Sequence, residues 1–210
     1  MNDDLVDVPS PIDLQSTAEA EAWAASAMAK RPYREEFFRA FVEQLGPLCS
    51  MRSNVLELGS GPGMLAQRIL EAYPLVEYTA LDFSPAMHVL ARARLEPLGT
   101  RVRLIEADLK VAGWSERLPR YHAVVTMQAV HELRHKRHAS RLYQAVRELL
   151  VPDGVFLMCD HVCGEGGVQN RALYMTPEEH ERALFEGGFA SSSEVRREGS
   201  LVLYRAQGAR

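Results

Sequence analysis

The sequence predicts a doubly wound α/β domain, and three observations carry that reading. From Asn54 onward, short runs that are apolar throughout alternate with helical patterns. Several of these runs end on a glycine or an acidic residue. The whole chain of 210 residues is 47% hydrophobic and 25% charged, which is the balance of one globular domain rather than of a fibrous, disordered or disulfide-scaffold protein. Strands that are apolar on both faces need cover on both faces, and crossover helices supply it in a parallel sheet.

The elements follow in order. Residues 1–15 are polar and acidic, with Pro9 and Pro11, and read as a loose arm. Ser16 followed by Glu19 is a capping-box pattern that opens a helix ending near Lys30. After Pro32, the spacing of Phe37, Phe38, Phe41, Val42 and Leu45 predicts a second helix that stops at Gly46-Pro47. Residues 1–50 are therefore expected to be an N-terminal helical extension of arm and lid helices, ahead of a domain spanning 51–210. Strands are expected over 54–58, 77–82, 102–106, 123–127 and 154–161. Helices fit over 64–72, over 85–95 with Ser84 as cap and Pro85 in the first turn, and over 137–150. Thr176-Pro177-Glu178-Glu179 starts a further helix that Gly187-Gly188 closes. Residues 192–197 and 201–205 then flank a short turn, as an antiparallel pair requires.

Composition bounds the function classes. There are 24 Lys and Arg against 28 Asp and Glu, a net charge of −4 that exerts no long-range pull on nucleic acid. No apolar stretch approaches the roughly 20 residues that span a bilayer. The acidic start Met1-Asn2-Asp3-Asp4 lacks the pattern of a secretory signal, and three cysteines cannot all pair internally, so a cytoplasmic setting is expected.

Chemistry concentrates at the ends of the predicted strands. Glu57-Leu58-Gly59-Ser60-Gly61-Pro62-Gly63 runs from a strand through a glycine turn into a helix. Ligands of open α/β sheets bind beyond the carboxyl ends of the strands, where glycines admit close approach to the backbone. The dinucleotide fingerprint would need glycine at position 64, which is Met64. Asp82 ends the next strand, where a carboxylate can accept from both hydroxyls of a ribose, and Asp108 follows the third. Glu57, Asp82 and Asp108 thus mark one ligand-facing edge.

These pieces resemble class I S-adenosylmethionine-dependent methyltransferases. The resemblance rests on Val55 through Gly63, on Ala80-Leu81-Asp82-Phe83-Ser84-Pro85-Ala86-Met87, and on Ile105-Glu106-Ala107-Asp108-Leu109. It continues through the run from Ala123 to His131 and through Leu149-Leu150-Val151-Pro152-Asp153-Gly154-Val155-Phe156. It implies a seven-stranded, mostly parallel sheet with an antiparallel last strand, and S-adenosyl-L-methionine as cofactor. By that resemblance Gly59, Gly61 and Gly63 pass under the methionine part, together with Glu57 and Ser60. Asp82 holds the ribose with Phe83 beside the adenine and Met87 in the same set. Asp108 accepts from the adenine amino group, the Leu109 backbone meets the ring, and Thr126, Met127 and Gln128 line the wall near the methyl group.

His131-Glu132-Leu133-Arg134-His135 also matches the H-E-x-x-H pattern of zinc hydrolases. Charged Arg134 and Lys136, and a start immediately after a strand, count against it. Cys159-Asp160-His161-Val162-Cys163 is a second apparent metal cluster. Strand alternation sends Cys159 and His161 to one face and Asp160 to the other, which suits core packing followed by an exposed edge, and no metal is expected. A general base is needed only if the methyl acceptor must lose a proton, and the candidates beyond the fourth and fifth strands are His131, Glu132 and His161. His131 comes first because it directly follows the fourth strand and an imidazole titrates near working pH. The basic run Arg134, His135, Lys136, Arg137, His138 and Arg141 is either a solvated face or a site for an anionic substrate or RNA backbone. Overall acidity and the shortness of segment 162–175 favour a small-molecule substrate, with no membrane partner and nucleic acid disfavoured. The oligomeric state is left open between monomer and homodimer. A protein that binds S-adenosylmethionine without turnover is the alternative of a different class.

Overall fold

The computed structural model of the protein describes residues 6–49, 51–164 and 168–209. Seven strands are ordered β3 (Val102–Glu106), β2 (Val76–Asp82), β1 (Ser53–Leu58), β4 (Tyr121–Met127), β5 (Leu150–His161), β7 (Leu201–Gln207) and β6 (Ser191–Glu198). The chain divides into two compact units, one over Pro11–Asp108 and one combining Leu109–Arg210 with the described residues of Met1–Ser10.

In the first unit, α1 (Thr17–Lys30) and α2 (Arg34–Cys49) precede β1 (Ser53–Leu58), α3 (Met64–Ala72), β2 (Val76–Asp82), α4 (Pro85–Leu95) and β3 (Val102–Glu106). β1 pairs in parallel with β2, and β2 with β3. The all-apolar strand pattern has its expected consequence, since Val55, Leu56, Leu58, Tyr78, Ala80 and Leu81 are buried. Helix α3 turns Leu65, Ile69 and Leu70 inward, and α2 buries Phe37, Phe41 and Leu45. Ser84 caps α4 as expected, accepting from Met87 N at 3.0 Å.

Two helix signals act differently from their sequence reading. Helix α2 does not stop at Gly46-Pro47 but runs on to Cys49. Pro47 deprives the Glu43 carbonyl of its helical donor. One residue earlier, the Val42 carbonyl accepts from Tyr73 Oη at 2.6 Å. Gly46 serves that approach, because a Cβ there would stand 3.3 Å from the Tyr73 hydroxyl. The capping box at Ser16 is not formed, and Ser16 makes no side-chain cap bond. Glu19 is drawn back to accept from Asp13 N at 2.9 Å, within a turn closed by Gln15 N on Asp13 Oδ1.

In the second unit, β4 (Tyr121–Met127), α5 (Ala139–Leu149), β5 (Leu150–His161), α6 (Pro177–Glu186), β6 (Ser191–Glu198) and β7 (Leu201–Gln207) follow one another. β5 pairs in parallel with β4 and antiparallel with β7, which pairs antiparallel with β6. Helix α6 opens on the complete capping box predicted at Thr176 and Glu179. Helix α5 starts two residues later than expected, because Lys136–His138 forms a separate 3-10 turn. β5 starts four residues early, at Leu150, and its register then shifts so that Ala123 faces Val155. Gly154 belongs to that shift, since a Cβ there would meet the Val151 and His122 carbonyls at 3.0 and 3.2 Å.

The arm is not loose where it is described. Residues 7–9 are hydrogen-bonded to Lys110, Arg134, Arg137 and His138. Its first five residues, and Glu165, Gly166 and Gly167 of segment 162–175, lie outside the described residues. No helix among the described residues is long and apolar enough to cross a membrane.

Candidate active site

The first unit builds a glycine turn at the carboxyl end of β1. Gly59, Gly61 and Gly63 have φ of 66°, 52° and 77°, a region that side chains with a Cβ enter only at a cost. Ser60 N donates to the Leu81 carbonyl at 3.0 Å and Gly63 N to the Ser60 carbonyl at 3.1 Å, closing the turn onto β2. Asp82 is the anchor. Its Oδ2 accepts from Gly61 N at 2.7 Å and its Oδ1 from Ser84 N at 2.9 Å. Burial raises its pKa above the ordinary value, against the pull of those backbone donors and of His88. His88 Nε2 lies 3.2 and 3.1 Å from the Asp82 and Ile105 carbonyls, so that nitrogen carries the proton and ties β2 to β3.

Behind the turn, Glu57 is 2% exposed and accepts from Tyr78 Oη at 2.9 Å. Burial first, and then the Asp82 charge, push its pKa up to about 8. Glu57 is therefore a neutral acid at pH 7, a donor as well as an acceptor. Phe83 is 39% exposed at the tip of β2, Asp108 is exposed beyond β3, and Leu109 is half-buried. Met87 is buried in a cluster with Ala20, Ala86, Leu14, Trp23 and Leu90, where α1 packs on α4. Arg34 lies over the Trp23 ring, 5.4 Å from its centroid.

These residues fit S-adenosylmethionine on two counts. The buried Ser60 hydroxyl has no partner among the described residues, and a Cβ built on Gly61 meets nothing within 4 Å. An open space thus lies over a turn whose polar atoms are not all satisfied from within.

The second unit gathers the acceptor-side candidates. Thr126 and Met127 are buried at the end of β4. Gln128 follows with φ 59°, an unusual conformation for a non-glycine residue, and its N donates to the Cys159 carbonyl at 2.7 Å. The Gln128 amide donates to His161 Nε2 at 2.8 Å, which leaves Nδ1–H of His161 to donate to Ser200 Oγ at 2.8 Å. Both ring nitrogens of His161 are engaged.

His131 sits against a residue that sequence reasoning missed. Its Nδ1 is 2.5 Å from Asp160 Oδ1 and its backbone N donates to Asp160 Oδ2 at 2.9 Å, while His161 N donates to Asp160 Oδ1 at 2.7 Å. Glu132 Oε1 lies 3.3 Å from His131 Nε2. Burial alone would depress the imidazole, but the charges of Asp160 and Glu132 outweigh it and hold the pKa up at about 10. Asp160 is 2% exposed, and despite burial the imidazolium and two backbone donors keep its pKa below the ordinary value. The signal for Asp160 was present in the chain. It is a carboxylate ending an apolar strand, as Asp82 is. Tyr174, from segment 162–175, stacks obliquely on His131 with ring centroids 5.2 Å apart.

The H-E-x-x-H segment does not form the zinc arrangement. His131–Leu133 is a 3-10 turn broken by Arg134 at φ 66°, so His131 and His135 do not share a helix face. His135 instead accepts from Arg137 N through Nδ1. The basic run finds acidic partners within the chain, with Lys136 on Glu179 at 2.6 Å and Arg137 on Asp7 at 2.7 Å.

A family model described as a methyltransferase domain matches residues 55–154. The malonyl-[acyl-carrier protein] O-methyltransferase of Paenibacillus sp. (strain JDR-2) is 26% identical over 133 residues, 61% of this chain and 48% of that protein. The release factor glutamine methyltransferase of Bordetella pertussis is 37% identical over 75 residues, 34% of this chain and 26% of that protein. These matches span less than half the length of the curated relatives. Human N-acetylserotonin methyltransferase, solved in complex with SAM, superposes with a TM-score of 0.66 at 17% identity, over 94% of this chain and 56% of that one, a likeness of fold. Residues 55–154 thus carry a methyltransferase domain, and with the glycine turn, the acidic strand ends and the seven-stranded topology the fold is that of the class I, Rossmann-like methyltransferases.

Proposed function

We propose that the protein transfers a methyl group from S-adenosylmethionine to a small-molecule acceptor through oxygen, nitrogen or carbon, in the cytoplasm. The observation that carries the reading is the glycine turn held on Asp82, with a buried, unpartnered Ser60 hydroxyl and open space at the Cβ position of Gly61. Residues 51–210 form the catalytic domain in this reading, and residues 1–50 its arm and cover. Gly59, Ser60, Gly61 and Gly63 would hold the methionine part, with the neutral acid of Glu57 behind them, and Asp82 the ribose. Phe83, Met87, Asp108 and Leu109 would form the adenine side, and Thr126, Met127 and Gln128 the wall beside the reacting centre. Bound S-adenosylmethionine supplies an electrophilic methyl group.

The chain's own contribution is alignment, exclusion of water and control of one proton. Asp160 fixes the His131 ring through Nδ1, which leaves Nε2 for an acceptor in place of Glu132. Kept charged by Asp160, the ring would donate from Nε2 to an acceptor oxyanion whose proton has passed to solvent, and so hold the better nucleophile in place. The O-methyltransferase activity in the Paenibacillus relative's name supports an oxygen acceptor among the three.

Calorimetry with S-adenosylmethionine, its demethylated product and NAD tests the cofactor, and a labelled-methyl transfer screen against metabolite extracts tests the reaction. Binding of both sulfur ligands and not of NAD, with transfer lost in His131→Ala, is expected. Binding of NAD alone sinks the reading, and cofactor binding without transfer to any extract leaves the binding-protein alternative.

A further inference from the structure

Residues 7–9 of the arm are fastened to Lys110 and to the segment that follows His131 by a set of hydrogen bonds. Asp7 Oδ1 accepts from Arg137 Nη2 at 2.7 Å and pairs with His138 Nε2 at 2.9 Å, while its Oδ2 accepts from Lys110 Nζ at 3.2 Å. Val8 N donates to the Arg134 carbonyl at 2.7 Å. Arg134 returns two bonds, from Nε to the Val8 carbonyl at 2.9 Å and from Nη2 to the Pro9 carbonyl at 2.7 Å. These contacts embrace one of the two non-glycine residues with positive φ among the described residues. The last arm of the guanidinium, Nη1, donates to Glu132 Oε2 at 3.1 Å, and the other oxygen of Glu132 faces His131 Nε2 at 3.3 Å. One carboxylate is thus shared between a cation that the arm holds and the ring nitrogen that Asp160 leaves available.

We propose that residues 7–9 act as a strap that positions Arg134, and that Arg134, by holding Glu132, governs how firmly Glu132 caps Nε2 of His131. Arg134 is a positioning residue and touches no substrate. The proposal rests on the reading of His131 as the acceptor-side group. With the strap docked, two donors of Arg134 are spent on backbone carbonyls and the third draws Glu132 away from the ring. Without it, the guanidinium loses its anchors, Glu132 passes wholly to His131, and the imidazolium is held more tightly. The other groups facing His131 are Asp160 and His161 from β5 and Tyr174 from segment 162–175. Tyr143 and His180 lie within electrostatic reach of Asp160 from α5 and α6. Substitutions at Asp7, Val8 and Arg134 leave all of these groups in place, so they test the route through Arg134 and Glu132 by itself.

The test is a nitrogen NMR titration of the histidine rings in the full chain, alongside the pH profile of kcat/KM. The variants are Asp7→Asn, Val8→Pro, which removes the donor to Arg134, and Arg134→Gln. An upward shift of the His131 titration on the order of 0.5–1 pH unit is expected in all three. The acid limb of kcat/KM should move with it while the KM for S-adenosylmethionine stays fixed. Arg134→Lys, which keeps the charge but loses the fork onto Val8 and Pro9, should restore only part of the shift. An unchanged His131 titration in Asp7→Asn and Val8→Pro overturns the strap, and both substitutions lie outside the core. The NMR reading does not depend on turnover, so a shifted titration in a protein that transfers no methyl group would sustain the strap and defeat the methyltransferase reading.

Discussion

His131 Nδ1 and Asp160 Oδ1 stand 2.5 Å apart in a buried pair, and each group keeps the other charged. The linkage has a definite sign. His131 has a folded pKa of about 10, raised from 6.5, so its contribution is complete below about pH 6.5 and is lost as pH rises through 10. Asp160 has a lowered pKa, so its contribution is present above the unfolded carboxylate value and fades as pH falls. Removing one partner of a buried pair strands the other, at a cost of about 3–5 kcal/mol. Asp160→Asn should therefore lower unfolding free energy by that order at pH 6 and by much less at pH 10.5. The double variant His131→Gln with Asp160→Asn, which swaps the ion pair for an amide pair, should recover much of the loss. Urea denaturation at the two pH values measures this, and an equal loss at both would show that the pair's charge is not what stabilises.

Glu57 presents the opposite case, a carboxyl that burial keeps neutral. Between its unfolded pKa of 4.5 and its folded value of about 8, the unfolded chain releases a proton that the native chain retains. Stability therefore falls as pH rises through that window and levels off above it. Glu57→Gln keeps the shape, and Tyr78 Oη can bond the amide as it does the acid. The substitution should be close to neutral at pH 4.5 and should raise stability by roughly 1–3 kcal/mol at pH 8.5, less than the full shift implies once the buried site relaxes. Thermal unfolding at both values distinguishes this from a structural carboxylate, whose removal would destabilise most at high pH.

The parallel sheet was legible because its central strands are largely apolar, and the glycine turn because Gly59, Gly61 and Gly63 lie directly ahead of a helix. What escaped depended on partners distant in the chain. Beside the carbonyl that Pro47 leaves without a donor, the Val42 carbonyl is met by a tyrosine 31 residues away, and the docking of Asp7 depends on Arg137, 130 residues on. Asp160 was hidden for a different reason. Alternation in β5 set it only on the face opposite Cys159 and His161, and the flanking Cys159, His161 and Cys163 gave the segment the look of a metal cluster instead. The cap at Ser16 failed because two competing acceptors, Asp13 and Glu19, lie close enough to form a rival turn.

The glycines of the turn separate fold from function. Gly61 has φ 52° with nothing within 4 Å of a Cβ, whereas a Cβ on Gly63, at φ 77°, would stand 3.0 Å from Leu95 Cδ1. Gly61→Ala incurs backbone strain alone, about 1–2 kcal/mol, but its methyl group enters the space assigned to the cofactor. Gly63→Ala adds crowding against Leu95 to the same strain. Gly61→Ala should thus lose more S-adenosylmethionine affinity than stability, and Gly63→Ala should be the less stable of the two. Parallel calorimetry and urea denaturation check the ordering, and its reversal would move the ligand space away from Gly61.

Asp82 carries two duties, and a pair of substitutions can divide them. Its carboxylate accepts from Gly61 N and Ser84 N, so it shapes the turn, and in the proposed complex it also accepts from the ribose hydroxyls. Asp82→Ala removes both and should weaken S-adenosylmethionine binding by roughly 1–3 kcal/mol, with loss of stability as Gly61 N and Ser84 N lose their acceptor. Asp82→Asn keeps one oxygen acceptor but presents an amide to the other donor. It should keep more of the fold than Asp82→Ala while still losing affinity, because the charge-assisted bonds to hydroxyls are gone. A ligand that lacks the ribose hydroxyls closes the cycle. Against wild type it should bind as weakly as S-adenosylmethionine does against Asp82→Asn, and Asp82→Asn should not weaken it further. If the substitution and the missing hydroxyls instead cost affinity independently, Asp82 acts only through the shape of the turn.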